Sequence, residues 1–411
     1  MSLSQLIEET ARLYESGELD QVRERLEEAR EEYPESFRVQ YNLGVVLRDL
    51  DDWGPARAAF ERALMLRPNE AQAFNNLGLI HEYLGNFPEA IANFRAALSL
   101  TPDFDSANFN LSLCLLRLGH FGEGFVRFQS RFGTGQVKPI NCPHPLWDGR
   151  AMLGTLLVHT EQGAGDAIQF VRYLPMVAER VSRILFVCPQ PLMRLFRSVP
   201  GIAEMRTAGD FEISSFQAYC PLLTLPHIFD TQPETIPAAP SYLKAPPESL
   251  ELPPPDIEDP KLKVGICWAG SSSHLGDRHR SVALKDFRPL IEEGNVAFYS
   301  LQIDEAKEQL KDMERQVVDL SGHIKDWGDT ASLVSQLDLV ISVDTGVAHL
   351  AAAMGIPVWI ALAQHTDWRW GIEGDQSAWY PSARLFRQQE PGDWNEVFAE
   401  LKHELLIMLQ K

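Results

Sequence analysis

The chain has 411 residues, too long for one ordinary core, and dividing by roughly 150 residues per domain suggests two or three. With 45% hydrophobic and 23% charged residues it is too apolar for global disorder, and a net charge of −20 argues against a nucleic-acid coat or an anionic-membrane binder. The five cysteines (Cys114, Cys142, Cys188, Cys220 and Cys267) are far apart and include no CxxC pair, which disfavours a zinc knuckle or a disulfide framework and points to a reducing compartment. The acidic, amphipathic start MSLSQLIEETARLYE is unlike a signal peptide, and the most apolar stretch, 339–363, is interrupted by Asp344 and His349. The expectation is a cytoplasmic protein with no membrane span and no nucleic-acid partner.

Internal repetition dominates the first third. Leu43 and Leu77, Gly44 and Gly78, Ala56 and Ala90, Phe60 and Phe94, Ala63 and Ala97, and Pro68 and Pro102 are each 34 residues apart. Weaker echoes lie at Leu26, Ala29 and Pro34 before them and at Leu111, Gly119, Phe121 and Phe128 after them. Small residues where paired helices touch, large ones between, and Pro after the second helix make the tetratricopeptide pattern. About four helical hairpins are predicted over 1–135, the outer two degenerate. Asn42, Asn76 and Asn110 fall at one repeat position. An amide ladder there could hold an extended peptide backbone, or it could simply pack turn against turn.

From Thr155 the period changes. The runs 155–160 and 184–188 read as strands, each followed by a helical pattern, over a segment taken as 136–245. Nine of the 27 prolines lie between Thr231 and Pro260, predicting an extended linker placed at 246–262. A second βα series fills 263–411: strands at KVGIC, AFYSLQ, VVDLSG, DLVISV and IPVWIALA, helices at DEAKEQLKDMERQ, DTASLVSQL and VAHLAAAMG, and a closing helix at 395–409. The predicted fold is an α-helical repeat solenoid followed by an α/β pair of Rossmann-like halves. That is the two-domain layout of nucleotide-sugar transferases called GT-B.

Ligands of parallel sheets bind at strand carboxyl ends. Asp344-Thr345-Gly346 follows one strand and opens a helix whose free N–H groups suit a diphosphate, with His349 one turn in. The competing reading is a turn with Asp344 as a helix cap. The run Trp268-Ala269-Gly270-Ser271-Ser272-Ser273 ends another strand, with Arg278 and Arg280 close behind, and Arg pairs with phosphate bidentately. Gln302, ending the next strand, is included among the candidate donor ligands. In the first half, Glu161-Gln162-Gly163-Ala164-Gly165-Asp166 lacks the last glycine of GxGxxG, and no Walker sequence occurs, so a dehydrogenase is disfavoured. Asp166 is either a helix cap or a general base. The Asp-x-Asp triplets Asp49/Asp51 and Asp103/Asp105 lie within the repeats, so no metal site and no cofactor are expected.

The segments EQGAGDAIQFVRYLP, CPLLTLPHIF, VGICWAGSSSH, DRHRS, SLQ, DLVISVDTGVAHLAAAMGIPVW, DWRW and WYPSARLFRQ resemble bacterial tetratricopeptide-repeat proteins carrying a glycosyltransferase family nine, heptosyltransferase-like, domain. A more distant similarity is to O-GlcNAc transferases. The resemblance implies a metal-independent inverting transfer from a nucleotide diphosphate sugar, with Asp166 as base and Asp344, Thr345 and Gly346 at the diphosphate. The acceptor would be a protein or a glycan, with the repeats recruiting a protein or peptidic acceptor or a partner. Two departures stand out: Arg replaces the usual Lys after the small-residue loop, and the acceptor half is short. A rival expectation is a catalytically inactive repeat scaffold that keeps a nucleotide-binding domain.

Overall fold

A computed structural model describes residues 2–135, 137–138, 140–237, 239–248, 250–272, 276–313 and 316–410. The chain divides into two compact units, Met1–Lys138 and Pro139–Lys411.

The described residues of the first unit form eight α-helices: α1 (Leu3–Glu15), α2 (Leu19–Glu32), α3 (Phe37–Asp49), α4 (Trp53–Leu66), α5 (Ala71–Tyr83), α6 (Phe87–Leu100), α7 (Asp105–Arg117) and α8 (Phe121–Arg127). They make four successive hairpins, and packing explains the 34-residue recurrence. A Cβ on Gly78 in α5 would lie 2.6 Å from the Phe94 ring in α6, so a bare backbone is needed where the helices cross. The turn inside each hairpin passes through positive φ at Gly17, Asp51, Gly85 and Gly119, again 34 apart, and of these four only Asp51 bears a side chain.

Of the two readings of the asparagine position, the contacts of Asn76 and Asn110 favour packing. Asn76 is buried, donates to the Tyr41 hydroxyl (3.1 Å) and accepts from Arg48. Asn110 donates to the Asn75 carbonyl oxygen (3.0 Å). Asn42 is half-buried. The amides of Asn76 and Asn110 thus join repeat to repeat, and buried Asn76, with donor and acceptor both engaged, has little left to offer a peptide. Beside them Arg117 of α7 reaches Glu82 of α5 at 2.9 Å, both side chains 7% exposed.

The second unit contains two all-parallel sheets. The first comprises β1 (Met152–His159), β2 (Val181–Val187), β3 (Ile202–Arg206) and β4 (Ala218–Pro221), in the order β3-β2-β1-β4. The second comprises β5 (Leu262–Cys267), β6 (Val296–Ser300), β7 (Val317–Asp319), β8 (Leu339–Val343), β9 (Val358–Leu362) and β10 (Ala383–Arg387), in the order β10-β9-β8-β5-β6-β7. Strand order reverses between β5 and β8, the position where doubly wound sheets open a crevice. Burial follows the parallel-sheet rule: every residue of β6 and β8 is buried, which reads in the sequence as a nearly unbroken apolar run.

Two expectations change. The 304–316 segment forms a 3-10 helix over Glu305–Asp312 instead of an α-helix. Its buried apolar residues, Leu310 and Met313, are three apart, and a three-residue turn places both on one side of an otherwise charged segment. The proline-rich segment is extended but pinned along the second sheet's layer. Tyr242 and Leu243 donate backbone N–H groups to the Ala353 carbonyl, Leu252 N–H donates to Gln336, and the Tyr299 hydroxyl donates to the Pro253 carbonyl. Among the described residues no helix is long and apolar enough to cross a membrane.

Candidate functional site

The two sheets meet at the carboxyl ends of their strands. Helix Ala164–Phe170, which follows β1, packs on helix Gly346–Ala353, which follows β8. Gly165 sits at the crossing. A Cβ there would lie 2.8 Å from the His349 ring and 3.6 Å from the Gly346 Cα, so the glycine lets the loop close on the opposite helix end. A second contact joins Arg194, from helix Gln190–Phe196, to Asp326 (2.9 Å) and Asp329 at the start of helix Trp327–Val334.

Thr345 is the N-cap of the Gly346–Ala353 helix in extended backbone, yet its side chain caps nothing. The Thr345 hydroxyl lies inward, 3.0 Å from Ser342 Oγ and 3.8 Å from the Cys267 thiol. Thr345 is implied at the diphosphate, but its hydroxyl is engaged inside the protein, tethering β8 to β5, and what this end offers an anion is the helix N–H groups. Asp344 is not the cap either. His349 is buried, stacks on Trp370 (5.2 Å between rings), shares a 2.8 Å hydrogen bond with the Tyr380 hydroxyl through Nδ1, and places Nε2 3.9 Å from Asp344.

Next to the β8 end on the same sheet is the loop after β5. Gly270 N–H donates to Ser281 Oγ (2.9 Å), and Ser281 Oγ donates to Asp277 (2.9 Å), which also receives Arg280 Nε (3.1 Å). A Cβ at Gly270 would be 2.5 Å from the Arg280 guanidinium, so Gly270 permits Arg280 to lie against the loop. Ser271, Ser272 and Arg278 are exposed, while Ser273 lies outside the described residues.

Gln302 is a correction to its expected place among donor ligands. It is buried, its carbonyl oxygen accepts from the backbone N–H groups of Trp268 and Ala269 (both 3.1 Å), and its amide donates to the Ala269 carbonyl (3.0 Å) and Asp304 (2.7 Å). It holds the β5 loop in shape. Gln302→Ala strips the buried Trp268 N–H and the half-buried Ala269 N–H of their acceptor and is expected to destabilise the chain by about 2–4 kcal/mol. Urea unfolding checks this, and a loss under about 1 kcal/mol would show that water replaces the amide.

The helix-cap expectation for Asp166 is corrected in position: Gly163 is the N-cap, Asp166 sits three residues on, and its carboxylate makes two contacts. One oxygen accepts from the Gly163 N–H (2.9 Å), closing the first turn, and the other accepts from Arg369 across the crevice. Arg369 itself escaped the sequence reading. It lies in the loop after β9, is 9% exposed, and is also held by Asp367 (2.8 Å) and Gln169. Although the segment DWRW carries part of the resemblance, no spacing rule assigns its arginine a role.

Known families match both architectures. Tetratricopeptide-repeat patterns match residues 12–73 and 71–104, and the glycosyltransferase family 9 (heptosyltransferase) pattern matches 287–391, which includes Asp344–His349 and Asp367–Trp370. The chain combines tetratricopeptide repeats with a glycosyltransferase family 9 domain. Over 317 residues it is 26% identical to protein FlbA of Caulobacter vibrioides, covering 67% of this chain and 50% of that protein. It thus spans about half the length of the curated relative it matches. Among solved structures, YrrB, described as a TPR protein with an unusual peptide-binding site, is 22% identical with a TM-score of 0.29, covering 31% of this chain and 66% of that one. MamA from Desulfovibrio magneticus RS-1 is 20% identical with a TM-score of 0.30, covering 32% and 73%.

Within the family 9 domain two buried groups have displaced titrations. Burial raises the Asp344 carboxyl from 3.8 to about 6; Asp367 adds to the rise, and Arg280 and Arg369 oppose it. Burial lowers His349 from 6.5 to about 3, with Arg369 reinforcing it. The signs are opposite. Folding favours protonated Asp344, so its stabilisation is complete below pH 3.8 and is lost as pH rises through about 6. Folding favours neutral His349, so its stabilisation is complete above pH 6.5 and is lost as pH falls towards 3. Asp344→Asn removes only the first effect. Its stability relative to the parent should therefore rise by about 2 kcal/mol between about pH 4.5 and 7.5. A constant difference in urea unfolding across that range would mean the carboxyl ionises normally.

Proposed function

We propose that this chain transfers a sugar from a nucleotide diphosphate donor to a hydroxyl of a protein or peptidic acceptor brought by the repeats. The observation that carries the proposal is the meeting of two strand-end loops from different sheets at one crevice, with Asp166 on one wall and the helix start at Gly346 on the other. The donor diphosphate would lie at the switch point between β5 and β8, against the N–H groups at Gly346 and the Arg280 guanidinium. Asp166 would take the acceptor proton as the new glycosidic bond forms. The bond to the diphosphate breaks on the opposite face of the anomeric carbon, which inverts it. Electrostatic support of the leaving diphosphate by Arg280 and the helix end replaces a metal in this scheme. The proposed setting is the cytoplasm, where nucleotide sugars are available.

Calorimetry with UDP, GDP, ADP and dTDP in the presence of EDTA tests the donor half of the proposal. No binding at millimolar concentration by any of them would remove it. Release of nucleoside diphosphate from the matching sugars tests turnover. The ion pair between Asp166 and Arg369 favours a second reading, because a carboxylate held by a guanidinium is already engaged and not free for an acceptor hydroxyl. Binding without turnover, with or without acceptor proteins, would make the chain an inactive repeat scaffold.

A further inference from the structure

We infer that Arg369 is a positioning residue that restrains Asp166 until a donor diphosphate competes for its guanidinium, so that donor binding and release of the base are coupled. The inference rests on the transferase reading above.

Arg369 is held independently of Asp166. Asp367 accepts from its Nη1 (2.8 Å) and its backbone N–H (3.0 Å), Gln169 accepts from its Nε, and the guanidinium lies 4.6 Å over the Trp368 ring. Losing Asp166 therefore leaves the cation in place. The neighbouring Trp370 stacks on His349, one turn inside the helix whose N-terminus would receive the diphosphate, so Arg369 sits beside that end of the crevice.

The charges around it do not balance for an anion. Asp166, Asp344 and Asp367 surround Arg369, and Arg280 is paired with Asp277. Among the described residues, the nearby Arg172 donates to neutral oxygens. A diphosphate entering this crevice meets three carboxylates, which Arg280, itself paired with Asp277, does not offset, so a second cation has to be freed from one of them. Arg369 has two carboxylate partners, Asp166 and Asp367. Asp367 belongs to the same turn as Arg369, whereas Asp166 lies across the crevice, so Asp166 is the partner that an incoming anion displaces. Gln169, buried beside them, has no hydrogen-bond partner for its Nε2 among the described residues and adds a donor at the same place.

By reciprocity, whatever weakens the Asp166 pair must strengthen diphosphate binding. Calorimetry on the full chain with UDP, GDP, ADP and dTDP reads this directly. Asp166→Asn keeps the turn closed, because the Asn Oδ1 can still accept from the Gly163 N–H, and removes one competing charge. It should tighten the best-binding nucleoside diphosphate about fivefold or more. In an Arg369→Gln background the same substitution should tighten binding less than twofold, because only the direct repulsion between carboxylate and diphosphate is left to relieve, and Arg369→Met, equally uncharged, serves if the Gln variant does not fold. An unchanged or weaker affinity in Asp166→Asn, with the parent binding normally, overturns the inference and leaves the transferase reading standing. Failure of the parent to bind any of the four removes both.

Discussion

Asp166→Asn is expected to cut release of nucleoside diphosphate from the donor sugar by at least about a hundredfold, the usual loss when a general base is removed. The melting temperature should fall only slightly. The Asn side chain still accepts from the Gly163 N–H, and Arg369 keeps Asp367 and Gln169. Read as a cap alone, Asp166 would leave nucleotide affinity unmoved on substitution. Its pairing with Arg369 changes that expectation to tighter binding with lost turnover, a combination that a purely structural residue does not produce. Retained turnover would assign Asp166 to structure, and the base would have to be sought elsewhere in the crevice.

The largest expected loss of stability comes from Arg172→Ala, about 3–5 kcal/mol. Arg172 is 5% exposed and joins three parts of the second unit. Its Nε donates to the Gln169 carbonyl (2.8 Å), Nη1 to the Trp379 carbonyl (2.8 Å), and Nη2 to the Tyr242 hydroxyl of the proline-rich segment (2.9 Å). The guanidinium also lies 4.5 Å over the Tyr242 ring and 4.8 Å over that of Tyr380. Truncation leaves a cavity and three buried acceptors without their donor. Lys should rescue little, because an ammonium lacks the planar fork that meets three acceptors in different directions. Urea unfolding measures the loss, and a value near that of an exposed substitution, within about 0.5 kcal/mol, would show that the three parts hold together without this hub.

What was legible in the sequence was local or periodic. The helical hairpins announce themselves because Gly78 must admit Phe94, and the same crossing recurs every 34 residues. The long strands of the second unit stand out because parallel strands covered on both faces are apolar throughout. The strands β3, β4 and β10 escaped: charged residues break the apolar run of β3 and β10, and β4 is four residues ending in proline. Strand-end motifs marked Gly270, Asp344, Gly346 and Asp166, because a parallel sheet places its ligands there whatever the side chains do.

Tertiary structure decided what those side chains are engaged with. Asp166 and Arg369 are 203 residues apart, and no spacing rule links them. Gln302 and Thr345 have the chemistry of phosphate ligands, but each finds its partners inside the protein, as buried polar groups must. Asn76 follows the same rule within the repeats. The sequence by itself determined the repeats, the βα order and the loops at which a site can form. The packing of one sheet's strand ends against the other's determined which charges meet there, because an ion pair depends on distance in space and not along the chain.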